Sequence, residues 1–400
     1  MKKITVIGDI MVEPPFMEQV SAQGTCDFKA SFAPLKSLTE EADYVIGNLE
    51  TPLAGEEAGY TERIVSFNSP DCLLDALKEI GIDALSTANN HCLDRGCEGL
   101  ERTCRVLDER GIAHTGTYPR GFSGDRIHYF TVGDTRVALI AYTCGTNFAI
   151  NGVELAEDEL CCVNLFRPQA AKSFVPPMPE HYYDTLAYLE KHLGRKTVWE
   201  ETIGLKLAMH LPVPVIDDVV DEKEQDLWFE KVKADYEQAR KKADLVLFCP
   251  HSGGQFNENP GRYTRRLVEK SARLGFDAVL AAHSHTTQRA EYLEGKPCFY
   301  SLGNVSMSPG TFYSVSSSLP EYGLAVHLYV EEKKIAKVNF SIFKMVEENG
   351  DPLRVVPVDQ LYRQLSGERR EALVSDVSSV FKRVTGRELP QGELQKEYAL

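Results

Sequence analysis

Seven short apolar, β-branched runs punctuate the chain: ITVIG, ADYVIG, IDALST, RVALIAY, ADLVLFC, FDAVLAA and CFYSLG. Each is too short for a helix and lacks a polar face, so each predicts a β-strand buried on both sides. Between them lie segments with helical spacing. SPDCLLDALKEIG opens on Ser-Pro and stops at Gly81, and CEGLERTCRVLDERG stops at Gly111, the start and stop residues that helices favour. Buried strands alternating with amphipathic helices predict a layered α/β structure.

The pattern changes in two places. Residues 150–240 run from a proline-rich stretch, RPQAAKSFVPPMPEH, into polar helical material, and read as an insertion that caps the active face. After residue 320, GLAVHLYVEEKKIAKVNFSIFKMV is two alternating runs about a Glu-Glu-Lys-Lys turn, the pattern of an antiparallel hairpin closing one side of the sheet. Leu373, Val377, Val380 and Phe381 then mark an amphipathic helix. The expected organisation is one domain over 1–345, interrupted by 150–240, with a helical extension over 346–400.

Composition narrows the partners. A formal net charge of −15 argues against a nucleic-acid groove or an anionic membrane surface. The N-terminal MKKITVIGDIMV is broken by Gly8 and Asp9 too early for a signal peptide, and no stretch reaches the roughly 18 apolar residues of a membrane span. The ten cysteines fall inside apolar runs or helical segments without zinc-ribbon spacing. Reduced thiols and a cytoplasmic location are therefore expected.

The polar clusters are ordered by the strands. Asp9 ends the first run, and Asn48 with Glu50 the second. Asn89, Asn90, His91 and Asp94 follow the third; His251, the pair His283 and His285, and Asn304 follow three more. Taken singly, each is as readily a turn or a helix cap. Six clusters at strand ends point to one site, because open α/β sheets bind ligands at the carboxyl ends of their strands. Carboxylates, amide oxygens and imidazoles together suit Mn²⁺, Fe or Zn²⁺, and this many donors suit two adjacent ions that acidify water and grip a phosphoryl oxygen. His114, His128, His181, His192, His210 and His327 lie away from these junctions and read as surface or core histidines.

The segments GDIMV, ADYVIGNLETPL, FNSP, STANNHCLDRGCEGL, HSGGQFNENP, AAHSHTTQ and FYSLGN occur in the order and approximate spacing of the CapA family of poly-γ-glutamate capsule-synthesis proteins. The resemblance covers roughly residues 1–150 and 240–310. Membership of the calcineurin-like metallophosphatase superfamily implies a four-layer α/β/β/α sandwich. It also implies that Asp9 and His285 hold a first ion, that Asn90, His251 and His283 hold a second, and that Glu50 or Asn48 bridges them. His91 would be the general acid and Asp94 the group that orients it.

Two departures stand out. Met11 occupies the place of the family's first-motif histidine, and Gln255 and Phe256 follow His251 where the family has a glutamate and a tyrosine. The implied function is metal-dependent hydrolysis of a small anionic phosphoester, linked to polyglutamate metabolism. The alternatives are a γ-glutamyl amide hydrolase and a metal-containing polyglutamate-binding accessory protein without turnover.

Overall fold

The computed structural model describes residues 1–22, 26–62, 66–169, 216–308, 316–347 and 352–400. Two sheets form its centre. The first has the order β13 (Arg354–Pro357), β12 (Lys334–Val346), β11 (Tyr322–Glu331), β1 (Lys2–Ile10), β2 (Tyr44–Leu49), β3 (Ala84–Ser86), β4 (Ala113–Thr115), and β14 (Tyr398–Ala399) adds to β12. The second has the order β5 (His128–Val132), β6 (Thr135–Thr143), β7 (Leu245–His251), β8 (Ala278–Leu280), β10 (Lys296–Phe299), β9 (Ala290–Leu293). In each sheet the central strands are parallel: β1 through β4 in one, and β6, β7, β8 and β10 in the other.

Their faces explain the layers. Ile4, Val6 and Ile46 of the first sheet share a core with Leu139, Leu247 and Leu280 of the second, so the sheets pack against each other. The outer face of the first sheet, Ile7, Ile10 and Val45, is covered by helices that supply Phe16, Phe32, Leu74 and Leu77. The outer face of the second, Ile140, Val246 and Phe248, is covered by Phe229 and Val232 of the helix Glu222–Arg240 and Leu267 and Val268 of Arg262–Leu274. This is the α/β/β/α sandwich that the family resemblance implies. Truncating any of these core aliphatics to alanine costs about 2–5 kcal/mol, since a close-packed interior only partly collapses into the cavity.

All seven apolar runs are strands, and β11 and β12 form the expected hairpin, with β11 antiparallel to β1. Other segments differ from expectation. The stretch after 346 also supplies β13 and β14, and its helix Gly367–Thr385 sends Leu373, Val377, Val380 and Phe381 into the core between the sheets. The polar material before residue 240 forms Glu222–Arg240, which starts on the Asp221 side chain as N-cap and covers the second sheet. Most of the expected cap, residues 170–215, lies outside the described residues, and His181, His192 and His210 with it. Cys26 and Cys72 form a disulfide, with Cα atoms 6.2 Å apart, contrary to the expectation of reduced thiols throughout. Residues 46 apart in sequence meet only through the fold, which spacing does not reveal.

Candidate metal centre

A backbone irregularity aims the first carboxylate. Val6 pairs with Ile46 and Asp9 with Asn48, so Ile7 and Gly8 of β1 oppose the single Gly47 of β2. Strict alternation from Ile4 and Val6 would turn Asp9 toward the helices; the extra residue turns it back between the sheets. Gly8 is required there, since a Cβ would fall 2.0 Å from the Gly303 oxygen. The same approach lets Asp9 N donate to Gly303 O at 3.0 Å and Val305 N to Asp9 O at 2.7 Å.

The expected residues converge at the carboxyl ends of the strands. Asp9, Glu50, Asn90, His91, His251, His283 and His285 are all buried, as are Asn48 and Asp94. The Nε2 atom of His251 lies 2.7 Å from Asn90 Oδ1, 3.0 Å from His283 Nδ1 and 3.3 Å from Glu50 Oε1. On the other side, His285 Nε2 is 3.6 Å from the same Glu50 oxygen and His285 Nδ1 is 3.7 Å from Asp9 Oδ2. Donors held about 2.1 Å from one ion stand about 3.0–3.4 Å apart; the His251 contacts with His283 and Glu50 fall in that range, and the other three lie within a few tenths of an ångström of it. Among the described residues, Glu50 belongs to both groupings that have metal-ligand spacing, one with His283 and His285, the other with Asp9 and His251. Asn48 instead donates through Nδ2 to Asp9 Oδ1 at 2.7 Å.

Two histidines adopt left-handed backbone, His283 at φ 110° and His285 at φ 53°. Residues with a Cβ avoid these conformations at a cost of order 1–3 kcal/mol. Local bonds hold the turn: His283 N donates to Asp9 Oδ2 at 3.1 Å, and Asn304 Nδ2 donates to His285 O at 2.9 Å. The Asn304 Oδ1 atom lies 2.9 Å from His285 Nδ1 and so orients the ring.

Burial dominates the electrostatics. It pushes Asp9, with the help of neighbouring Glu50, up to about 8, and Glu50 also up to about 8. Burial likewise lowers His251 to about 4, His285 to about 3 and His283 well below the ordinary value. Neutral imidazole is the ligating form, and a divalent cation is what would let both carboxyls ionise in this interior. Neither oxygen of Glu50 has a hydrogen-bond partner. A fully buried carboxyl that takes no hydrogen bond and stands between histidines fits a divalent cation.

His91 sits beside this group with the opposite tendency. Burial lowers its pKa, but the charge and hydrogen bond of Asp94 outweigh burial and raise it. The His91 Nδ1 to Asp94 Oδ2 distance is 2.6 Å, Phe67 N donates to that oxygen at 2.7 Å, and the Phe67 ring lies 4.4 Å from the imidazole. Asn89 Oδ1 accepts from His91 N at 3.1 Å, while its Nδ2 donates to Leu49 O.

Sequence reasoning missed Asn147, which donates from Nδ2 toward the His91 ring at 3.4 Å and accepts from Asn90 Nδ2 at 3.1 Å. It lies in TCGTN, just past the end of β6, so the strand-end rule would have found it. Met11 is buried and ties its backbone to Ser306 Oγ, whereas Gln255 is exposed. His114 lies on β4, His128 of β5 hydrogen-bonds Tyr44 of β2, and His327 is buried between Thr5 and Ser341, all away from the centre. No helix among the described residues is long and apolar enough to cross a membrane.

Comparison with known proteins gives the family. The family model described as bacterial capsule synthesis protein PGA_cap matches residues 3–308. The PGA biosynthesis protein CapA of Bacillus subtilis (strain 168) is 21% identical over 322 residues, and the capsule biosynthesis protein CapA of Bacillus anthracis 23% over 324. Both alignments cover 80% of this chain, but 66% and 63% of those proteins, so the chain spans under two thirds of its relatives' length. A hypothetical protein from Thermus thermophilus, solved as a crystal structure, aligns over 89% of this chain and 97% of its own at 15% identity and a TM-score of 0.38. With the match running from β1 through the loop that carries Asn304, the chain belongs to the bacterial capsule synthesis protein family PGA_cap.

Proposed function

We propose that this protein is a divalent-metal-dependent hydrolase of phosphoester type that takes part in capsule or poly-γ-glutamate metabolism. The observation that carries the reading is Glu50, fully buried, with neither oxygen hydrogen-bonded and with His251 Nε2 and His285 Nε2 at 3.3 and 3.6 Å from its Oε1. On the assignment that the family resemblance implies, Asp9, His285 and Glu50 would hold one ion and Asn90, His251, His283 and the same Glu50 a second, whereas spacing alone groups Glu50 with His283 and His285 and with Asp9 and His251. When bound, two such ions of Mn²⁺, Fe or Zn²⁺ supply Lewis-acid polarisation and acidify water at neutral pH.

The protein's own residues supply the proton chemistry. Asp94 fixes the His91 tautomer and shifts the ring toward its protonated form, which suits His91 to donate a proton to a leaving alkoxide through Nε2. Asn89 holds the His91 backbone, the Phe67 ring packs against the imidazole, and Asn147 links that ring to Asn90. Burial of the donors excludes bulk water, and the neutral histidines leave room for negative charge on a small anionic substrate.

One observation favours a second reading, a metal-containing polyglutamate-binding accessory protein. Position 11 carries methionine, so the Asp9 side has fewer donors than the His251 side. A single preparation distinguishes the two. Metal-stripped protein is reloaded with Mn²⁺, Fe or Zn²⁺, analysed for bound ions, and assayed on aryl phosphoesters beside His91→Ala. Two ions with turnover that falls about 10²–10⁴-fold in His91→Ala support hydrolysis. Bound metal and polyglutamate binding without turnover support the accessory reading, and absence of bound metal refutes both.

A further inference from the structure

The helix Gly367–Thr385 lies wholly beyond the family match, yet it reaches the loop of the candidate ligands. Arg383 is the contact. Its side chain is only 10% exposed. The Nη1 atom donates to Thr286 Oγ1 at 2.8 Å and to Ser318 O at 2.7 Å, and Nη2 donates to Glu258 Oε1 at 2.6 Å. Thr286 Oγ1 itself donates to Ser318 O at 2.6 Å.

Those three partners sit on three different segments. Thr286 follows His285 directly, and Ser284, between the two histidines, donates through Oγ to Thr286 O at 2.8 Å. Ser318 Oγ donates to Phe256 O at 2.8 Å, and Phe256 N donates to Ser284 O at 2.6 Å. The Phe256 ring in turn lies 5.9 Å from the His285 ring. One guanidinium therefore ties the loop after His251, the His283–His285 turn and the segment at 316–318 to one rigid helix.

We propose that Arg383 is a positioning residue for the metal centre: it clamps the His283–His285 turn in its left-handed backbone and so sets affinity for the ion those histidines hold. The physical need is visible at φ 110° and φ 53°, conformations that a free loop would leave. Arginine suits the place because its planar fork reaches several acceptors from one charged group. The inference rests on the metal-centre reading for its affinity term only; the restraint on the turn does not.

The test compares wild type, Arg383→Met, Arg383→Lys and Thr286→Val. The readouts are Mn²⁺ affinity by calorimetry and amide hydrogen exchange over 283–287 in chelator. Supporting groups around ligands typically set affinity by about 10–100-fold, so Arg383→Met should weaken Mn²⁺ at least 10-fold and speed exchange in the turn. Arg383→Lys, which keeps the charge and part of the bonding, should recover part of both. Thr286→Val removes one acceptor without removing the ion pair to Glu258, and should weaken Mn²⁺ in the same direction even if Arg383→Met does not fold. Wild-type affinity and exchange in the folded variants would overturn the clamp, whereas wild-type protein that binds no Mn²⁺ would overturn the metal-centre reading instead.

Discussion

Replacing Glu50 with glutamine should make the metal-free protein more stable while removing metal. Burial holds the Glu50 carboxyl near 8, against an ordinary value of 4.5. A folded-state pKa above the unfolded one means the unfolded chain ionises first as pH rises, so the metal-free fold loses stability from about pH 4.5 up to about pH 8. At about 1.36 kcal/mol per pH unit, Glu50 costs roughly 3 kcal/mol at pH 7 and under 1 kcal/mol at pH 5. Glutamine has the same shape and no such titration. Urea unfolding in chelator at pH 5, 6 and 7 should therefore show Glu50→Gln gaining on wild type as pH rises, by about 3 kcal/mol at pH 7. Elemental analysis of the reloaded variant should show at least one ion fewer. A Glu50→Gln protein that is no more stable than wild type at pH 7, gains equally at all three pH values, or keeps the wild-type metal content would refute the reasoning.

Other consequences are as direct. Asp94→Asn removes the charge that raises His91, so the alkaline limb of the rate profile should move to lower pH and kcat should fall about 10-fold or more; an unmoved limb would remove Asp94 from that role. Because Asp9 and Glu50 both sit near 8, loading metal at pH 7 should release up to about two protons per chain, measurable by calorimetry in buffers of different ionisation enthalpy. No buffer dependence would place the carboxyls already ionised. Gly8→Ala drives a Cβ into Gly303 O and should cost about 3 kcal/mol or more in urea unfolding while reducing metal content, because the same contact seats Asp9 beside Asn304. A silent Gly8→Ala would mean that β1 and the loop at 303 separate easily.

The central strands were legible because their two-sided burial demands uninterrupted apolar runs. The convergence of the candidate donors was legible because parallel strands put their carboxyl ends together, which turns a list of polar residues such as Asn90, His251 and His283 into neighbours. The short strands β4, β5, β9, β13 and β14 left no comparable signature, being short or only partly buried. The bulge at Ile7 and Gly8 was hidden too, since a bulge is a relation between two strands and not a property of one. Arg383 is silent in sequence for the same reason: KRVTG reads as a charged helix end, and only the fold brings it to Thr286. The Cys26–Cys72 link and the role of Glu222–Arg240 as cover for the second sheet likewise depend on which segments become neighbours.

The donors span the chain, and Asp9 meets His283 across 274 positions. No local stretch holds a complete set, so metal has nothing to grip until both sheets have docked. Loops of that length close late, after the shorter contacts of each βα unit have formed. Metal should thus act on the native side of the folding barrier. It should slow unfolding in proportion to its affinity, leave the refolding rate nearly unchanged, and protect a fold that assembles without it.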